Sequence, residues 1–300
     1  MRLFILFITL LVSVAAQAQS RVFAGRVVDK NRNGIPFAVV EIKDRNQGVY
    51  CDENGVFYFT GNVAEMQTLL FFCLGYEKKE LAVTTLPADS IIVELRSQTT
   101  SLREVAITGR KGKTATGTLG KSRKQLHPDG HCYRYYGSET AILLPADTTH
   151  DGVLKEVFVY ITDEGDWKTK FRIHVYEWDT LPGRELTDSS VVVQATKGNS
   201  WVRADVAALR IPVNKGLFVS VEWIAGFGNT AQLLATEKHP DVTGYNGQVP
   251  GLTSSYGKPS KTYSRKPFAK EWIYYDDAAA ARMGGYFLNP MIYCTYSYVK

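Results

Sequence analysis

The chain has little that marks an enzyme or a membrane span. It contains no His-Glu-x-x-His and no Gly-x-Ser-x-Gly, so the local signatures of zincins and α/β-hydrolases are missing. Helical hydrophobic periodicity is confined to Asp277–Met283, one or two turns with Asp277 as a possible cap and Gly284 as a stop. The excess of basic over acidic residues is small, a formal +5, which is no nucleic-acid signature. Long apolar runs are absent except at the start. There Arg2, the apolar Leu3–Val14 and the small-x-small Ala16-Gln17-Ala18 read as a secretory signal over residues 1–18. That apolar run is too short to span a bilayer comfortably, and no cysteine near the cleavage point offers a lipid attachment site. The expectation is an exported protein, periplasmic or secreted, with no transmembrane segment after cleavage. Loss of Arg2 takes the charge from +5 to +4 (5 − 1). Four cysteines, Cys51, Cys73, Cys132 and Cys294, then enter an oxidising compartment, two in each half. Pairing within halves is the simplest of three connectivities, and free buried thiols are the alternative.

What is present is strand pattern. From Gly25 to Tyr76 short apolar runs alternate with turn clusters at Asn31–Gly34 and Asp52–Gly55, as in a small all-β sandwich. Strands are expected at 22–28, 37–42, 48–51, 56–59, 69–73, 76–83 and 91–95. The third and fourth read as a hairpin around Asp52-Glu53-Asn54-Gly55, with Asp52 bonding its own backbone. Residues 110–124, RKGKTATGTLGKSRK, are basic, Gly-rich and poor in apolar bulk, and read as a flexible linker. Gly112-Lys113-Thr114 and Gly120-Lys121-Ser122 are fragments of a phosphate loop. Each lacks the upstream Gly and the strand-to-helix setting that loop requires.

The order G-x-V-x-D, Gly-Ile-Pro, Ala-Val-Val, C-D-E-N-G and L-G-Y resembles the carboxypeptidase regulatory-like domain. That family implies a seven-stranded prealbumin-like sandwich, a non-catalytic accessory module of Bacteroidetes envelope proteins and TonB-dependent receptors. Ser101–Gly109 is similar to the junction that leads into a receptor plug, but nothing after it resembles a plug and no room remains for a receptor barrel or for a zinc carboxypeptidase domain. The segments LKEVFVYI, FRIHVYEWDTLPGREL and GLFVSVEW resemble a jelly-roll-like sandwich that follows such domains. The expected architecture is all-β: signal peptide 1–18, regulatory-like domain 19–109, basic linker 110–130 and jelly-roll-like sandwich 131–300. If Cys132 and Cys294 lie in neighbouring first and last strands of that sandwich, they are candidates for a bridge.

Candidate chemistry is sparse. His127-Pro128-Asp129-Gly130-His131-Cys132 is broken by Pro and Gly, so it reads as a loop rather than a metal site, and His150, His174 and His239 are isolated. No cofactor or metal is expected. Carboxylates are scattered, and Glu222 beside Glu139 or Asp205 is the pairing a glycosidase reading requires. Gly244–Tyr275 is rich in aromatics. Tyr245, Tyr256, Tyr263, Trp272, Tyr274 and Tyr275 offer either a surface for a glycan or an envelope protein, or one face of a core. The expected function is a non-catalytic binding or scaffolding module of the cell envelope. The alternatives are a glycoside-active enzyme and an outer-membrane-associated barrel, the latter disfavoured because the runs at Leu154 and Leu217 lack a consistent lipid face.

Overall fold

The computed structural model describes residues 20–62, 67–87, 90–98, 112–122, 137–146, 151–163, 168, 170–224, 252–256, 261–274 and 286–300. The signal sequence, Ser101–Gly109, His127, His131, Cys132 and Asp277–Met283 lie outside them.

Seven strands build the first sandwich: β1 (Ser20–Val28), β2 (Val39–Ile42), β3 (Gln47–Tyr50), β4 (Val56–Asn62), β5 (Thr68–Phe72), β6 (Lys79–Ala82) and β7 (Ile91–Glu94). They form two sheets in the orders β4-β1-β7 and β3-β2-β5-β6, with β1 and β7 parallel. Alternation supplies the core, because successive side chains point to opposite faces of a strand. Thus Phe23, Val27, Phe57, Phe59, Ile91 and Val93 from one sheet meet Val40, Ile42, Leu69 and Phe71 from the other. Burying each large side chain contributes about 1.5–3 kcal/mol.

The expected hairpin at Asp52 is corrected. The turn itself forms, with Asp52 Oδ1 accepting from the Asn54 and Val56 amides at 2.8 and 2.7 Å. Its two strands then diverge, β3 pairing with β2 and β4 with β1, so the turn carries the chain from one sheet to the other. Cys51 and Cys73 are buried free thiols, which settles the first-half pairing against a bridge. Cys294 is likewise buried in the second core, where burial pushes its thiol pKa up.

The second sandwich begins earlier than expected. Thr114–Gly120 is β8, an edge strand antiparallel to the last strand, so the flexible-linker reading of residues 110–124 fails at its centre. Gly117 explains the composition: a Cβ there would lie 2.3 Å from Tyr296 Cζ, so a side chain would displace the ring lying across the strand. The strands that follow are β9 (Glu139–Pro145), β10 (Gly152–Ile161), β11 (Phe171–Trp178), β12 (Pro182–Glu185), β13 (Val191–Val193), β14 (Ser200–Asp205) and β15 (Pro212–Val213). After them come β16 (Gly216–Trp223), β17 (Leu252–Tyr256), β18 (Thr262–Arg265), β19 (Ile273–Tyr274), β20 (Tyr286–Pro290) and β21 (Ile292–Val299).

One sheet runs β14-β10-β21-β8, with β15 against β10. The other runs β12-β11-β16-β9-β18-β19, with β13 against β11, while β17 and β20 form a separate ladder. These described strands form a sandwich of open sheets rather than a closed barrel. Their apolar faces meet in one core that includes Leu154, Val157, Phe171, Ile173, Val219, Val221, Trp223 and Cys294. As expected, Ile292, Cys294 and Tyr296 share the inward face of β21. Among the described residues no helix is long and apolar enough to cross a membrane.

The two sandwiches touch directly. Val39 and Tyr50 of the first pack on Ile224 of the second, with Phe37, Phe72, Val192 and Phe268 around them.

Candidate functional site

The outer face of the large sheet of the second sandwich is where charge and aromatics converge. Along β11 the side chains of Phe171, Ile173 and Val175 enter the core, so Arg172, His174, Tyr176 and Trp178 point the other way. By the same alternation β16 contributes Phe218, Ser220 and Glu222, β9 contributes Glu139 and Ala141, and β18 contributes Tyr263 and Arg265. This face is not solvated. Glu139, Arg172, His174 and Ser220 are 2%, 3%, 5% and 0% exposed, so each charge needs a partner in place of water.

Each has one. Glu139 and Glu222 sit directly opposite across β9 and β16, a like-charge pairing that would repel if left bare. Arg172 Nη1 donates to Glu222 Oε2 at 3.0 Å, and His174 Nε2 reaches the same oxygen at 3.0 Å. His174 Nδ1 reaches Glu185 Oε1 at 2.5 Å. Tyr50, from the first sandwich, donates its hydroxyl to Glu222 Oε1 at 2.6 Å. Glu139 in turn accepts from Arg265, from Ser220 and from the Tyr176 hydroxyl.

The network fixes the protonation states. Burial by itself would raise the Glu222 carboxyl, but Arg172, His174 and Tyr50 outweigh it and hold the pKa at about 2. Glu185 is also lowered, its burial overcome by His174 and Thr187. Burial disfavours a charged His174, yet Glu185, Glu139 and Glu222 together raise it to about 10. At neutral pH His174 is therefore an imidazolium donating from both nitrogens, and Glu222 and Glu185 are carboxylates. None of the three is poised to exchange a proton near neutrality, because a general acid or base works best with a pKa near the operating pH.

Beyond the charges the same face turns aromatic. Trp272 stands edge-on to Tyr176 (5.6 Å, 81°) with the Arg265 guanidinium 4.6 Å over its ring. Tyr263 packs edge-on to Phe218 (5.4 Å, 86°), contacts Tyr274 at 5.2 Å and donates its hydroxyl to Thr180 O at 3.0 Å. That last bond links β18 to the β11–β12 turn, although β9 and β16 lie between β18 and β11 in the sheet. At its rim Trp178, Leu181 and Tyr274 are 43%, 47% and 38% exposed, while Ile273, paired with Ser264, lies on the opposite face of β19.

Of the expected aromatic surface, Tyr263, Trp272 and Tyr274 come together here, half-buried to exposed. Tyr256 pairs with Tyr286 on β17–β20, away from this sheet path. Tyr245 and Tyr275 lie outside the described residues. The reading of the carboxylates as scattered is corrected for Glu139 and Glu222, which converge, while Asp205 is exposed on the other sheet and accepts from the Ala207 amide at 3.0 Å. The reading of His174 as isolated is corrected too. Glu185, Arg172, Arg265 and Tyr176 were not singled out from sequence. The available signal was charged residues at alternate positions of strongly apolar strands, which reads equally well as a solvated face. Among the described residues no His, Cys, Asp and Glu group has the makings of a metal site.

No curated protein matches the chain. Several solved structures are remotely similar, and two serve as examples. One is described as carbohydrate-binding modules from the β-sandwich superfamily (9% identity, covering 69% of this chain and 93% of that one, TM-score 0.20). The other is a T=1 particle derived from infectious bursal virus (10% identity, covering 93% of this chain and 62% of that one, TM-score 0.21). Likeness this slight bears on neither ligand nor mechanism. The family model is specific: residues 23–107 match the CarboxypepD_reg-like domain, so the first sandwich is a carboxypeptidase regulatory-like domain.

Proposed function

We propose that the chain is an exported, non-catalytic binding protein of the cell envelope, and that the outer face of the large sheet of its second sandwich recognises carbohydrate. The observation that carries this reading is an aromatic rim of Trp178, Trp272, Tyr263 and Tyr274 beside a floor of carboxylates already matched to cations. The CH face of a sugar ring packs on aromatic rings, and fixed polar groups then set orientation. Against turnover stand the low Glu222 and Glu185 and the protonated His174. Export rests on the N-terminal signal pattern, and the accessory-type first domain supports an envelope setting. A second reading, an envelope protein as ligand, is favoured by exposed Leu181 in the β11–β12 turn, since an aliphatic side chain near Trp and Tyr suits a protein surface.

The test is a glycan array run beside a crosslinking pull-down from envelope extract, comparing wild type with a Trp272→Ala, Tyr274→Ala variant of matched melting temperature. The expected result is array binding that falls roughly tenfold in the variant, about 1.4 kcal/mol. Unchanged binding rejects the rim. Partner capture lost by the variant without any glycan binding moves the ligand to protein. Hydrolysis of any arrayed glycan refutes the non-catalytic reading.

A further inference from the structure

Between the two sandwiches lies a cleft of about 590 Å³, on the first-domain side of Arg172 and separate from the aromatic rim. One wall is the turn Ile35-Pro36-Phe37 with Leu74 and Tyr76 from the regulatory-like domain. The other is the segment Asp188–Ser190, with Val192, between β12 and β13. Its size falls in the range of roughly 300–1,000 Å³ typical of small-molecule sites, and domain junctions are a common place for them.

The walls are held, not loosely apposed. Phe37 adopts a left-handed backbone (φ 56°), which is costly for a bulky residue and persists only where neighbours impose it. Neighbours hold it from both sides: the Phe37 amide donates to Asp52 O at 3.1 Å, and across the junction Arg172 Nη2 donates to Phe37 O at 2.8 Å while Nε donates to Ser190 Oγ at 2.9 Å, tying both walls to one guanidinium. Gly75, also left-handed (φ 84°), brings the second edge of the first domain against the second, where an added Cβ would meet Asp188 O at 2.9 Å. The Gly75 carbonyl is occupied by the Gln98 amide at 2.8 Å, which fixes the Ser97–Gln98 lip.

The chemistry of the lining is mixed. Phe37, Pro36 and Tyr76 give apolar and aromatic surface; Ser97, Gln98, Asp188 and Ser189 give polar groups, of which Asp188 is the one acidic side chain. Among the described residues these four polar side chains make no hydrogen bond or ion pair, so they are available to a ligand that displaces water. A ring with an apolar CH face and a hydroxyl edge satisfies both kinds of surface. A phosphate or carboxylate fits less well, because it would meet the acidic Asp188 while the Arg172 guanidinium behind the lining is already committed to Glu222, Ser190 and the Phe37 carbonyl. We infer that this junction cleft is a second, independent site for a neutral saccharide of mono- or disaccharide size, formed only when the two domains are docked.

The experiment uses the full mature chain in saturation-transfer NMR with glucose, galactose, N-acetylglucosamine, cellobiose, lactose and N,N′-diacetylchitobiose as probes. Three variants accompany wild type, each checked by thermal melt: Asp188→Asn, Ser189→Trp to fill the exposed mouth, and Trp272→Ala with Tyr274→Ala at the rim. The expected result is saturation transfer to at least one saccharide in wild type and in the rim variant, weakened at least about tenfold in Ser189→Trp and measurably in Asp188→Asn. Loss confined to the cleft variants supports the site. Every other pattern overturns it, including silence from all six probes. Because the rim variant is the control, failure here is distinct from failure of the rim proposal.

Discussion

The two faces of the large sheet of the second sandwich are both buried and are buried by opposite means. On the inner face Phe171, Ile173, Val175, Val219, Val221 and Trp223 are all within 1% of full burial and meet apolar neighbours. The one buried polar atom there without a partner among the described residues is Trp223 Nε1. On the outer face, alternate residues of the same strands bring Arg172, His174, Glu222, Glu139 and Ser220 out of water, tolerable only because they match one another. The inner face contributes stability. The outer face contributes little net stability and a great deal of geometry: it fixes the floor beneath the aromatic rim and, through Tyr50 and Phe37, the placement of the first domain.

Breaking the inner face produces the largest effect. Phe171→Ala is expected to lower unfolding stability by about 3–5 kcal/mol, read by denaturant titration, through lost transfer energy and the cavity left behind. A change below about 1 kcal/mol would mean that the inner face is not the main source of stability. Next comes the tie between domains. Tyr50→Phe removes one hydrogen bond to an ionised carboxylate and is expected to cost about 1.5–3 kcal/mol. Calorimetry distinguishes what that bond does: wild type should melt in one transition and the variant show the two domains beginning to separate.

The pH dependence sharpens the contrast further. Glu222 has a lowered pKa, so its contribution is complete above about 4.5 and is lost as pH falls towards about 2. His174 has a raised pKa, so its contribution is complete below about 6.5 and is lost as pH rises through about 10. Stability measured from acid to alkaline pH should show both limbs in wild type and in Phe171→Ala. The acid limb should shrink in Glu222→Gln, and an unaltered limb there would remove Glu222 from the network. The smallest effect belongs to the edge strand β19, where Ile273→Ser should change stability by no more than about 0.5 kcal/mol, because half-exposed positions make few contacts that folding depends on. A larger loss by thermal melt would mark Ile273 as packed rather than available.

The first sandwich was largely legible in the sequence because period-two alternation and turn clusters are local signals. All seven strands lie near the positions their patterns indicate. What eluded the sequence was pairing at a distance. The Asp52 turn looks the same whether its strands stay together or part into two sheets. Residues 114–120 look like a linker because an edge strand with Thr on one face and Gly117 under Tyr296 needs little apolar bulk. The alternation in FRIHVYEW marked which residues share a face. Whether that face meets water or is covered depends on β18, whose Tyr263 reaches the β11–β12 turn from 83 residues away in sequence. Of the aromatic stretch, Tyr263 and Tyr274 are in contact and Trp272 packs nearby on Tyr176 and Arg265; the carboxylate network they border was not singled out.

The most direct test of the outer face as a matched set of charges is a double-mutant cycle on Arg172 and Glu222, using Arg172→Met, Glu222→Leu and the pair, with stability read by denaturant unfolding at pH 7. Each single change strands a buried charge and should cost about 3–5 kcal/mol. The double variant should cost much less than their sum, with a coupling of at least about 2 kcal/mol. Single costs that simply add would contradict the account, showing two buried charges held independently of one another.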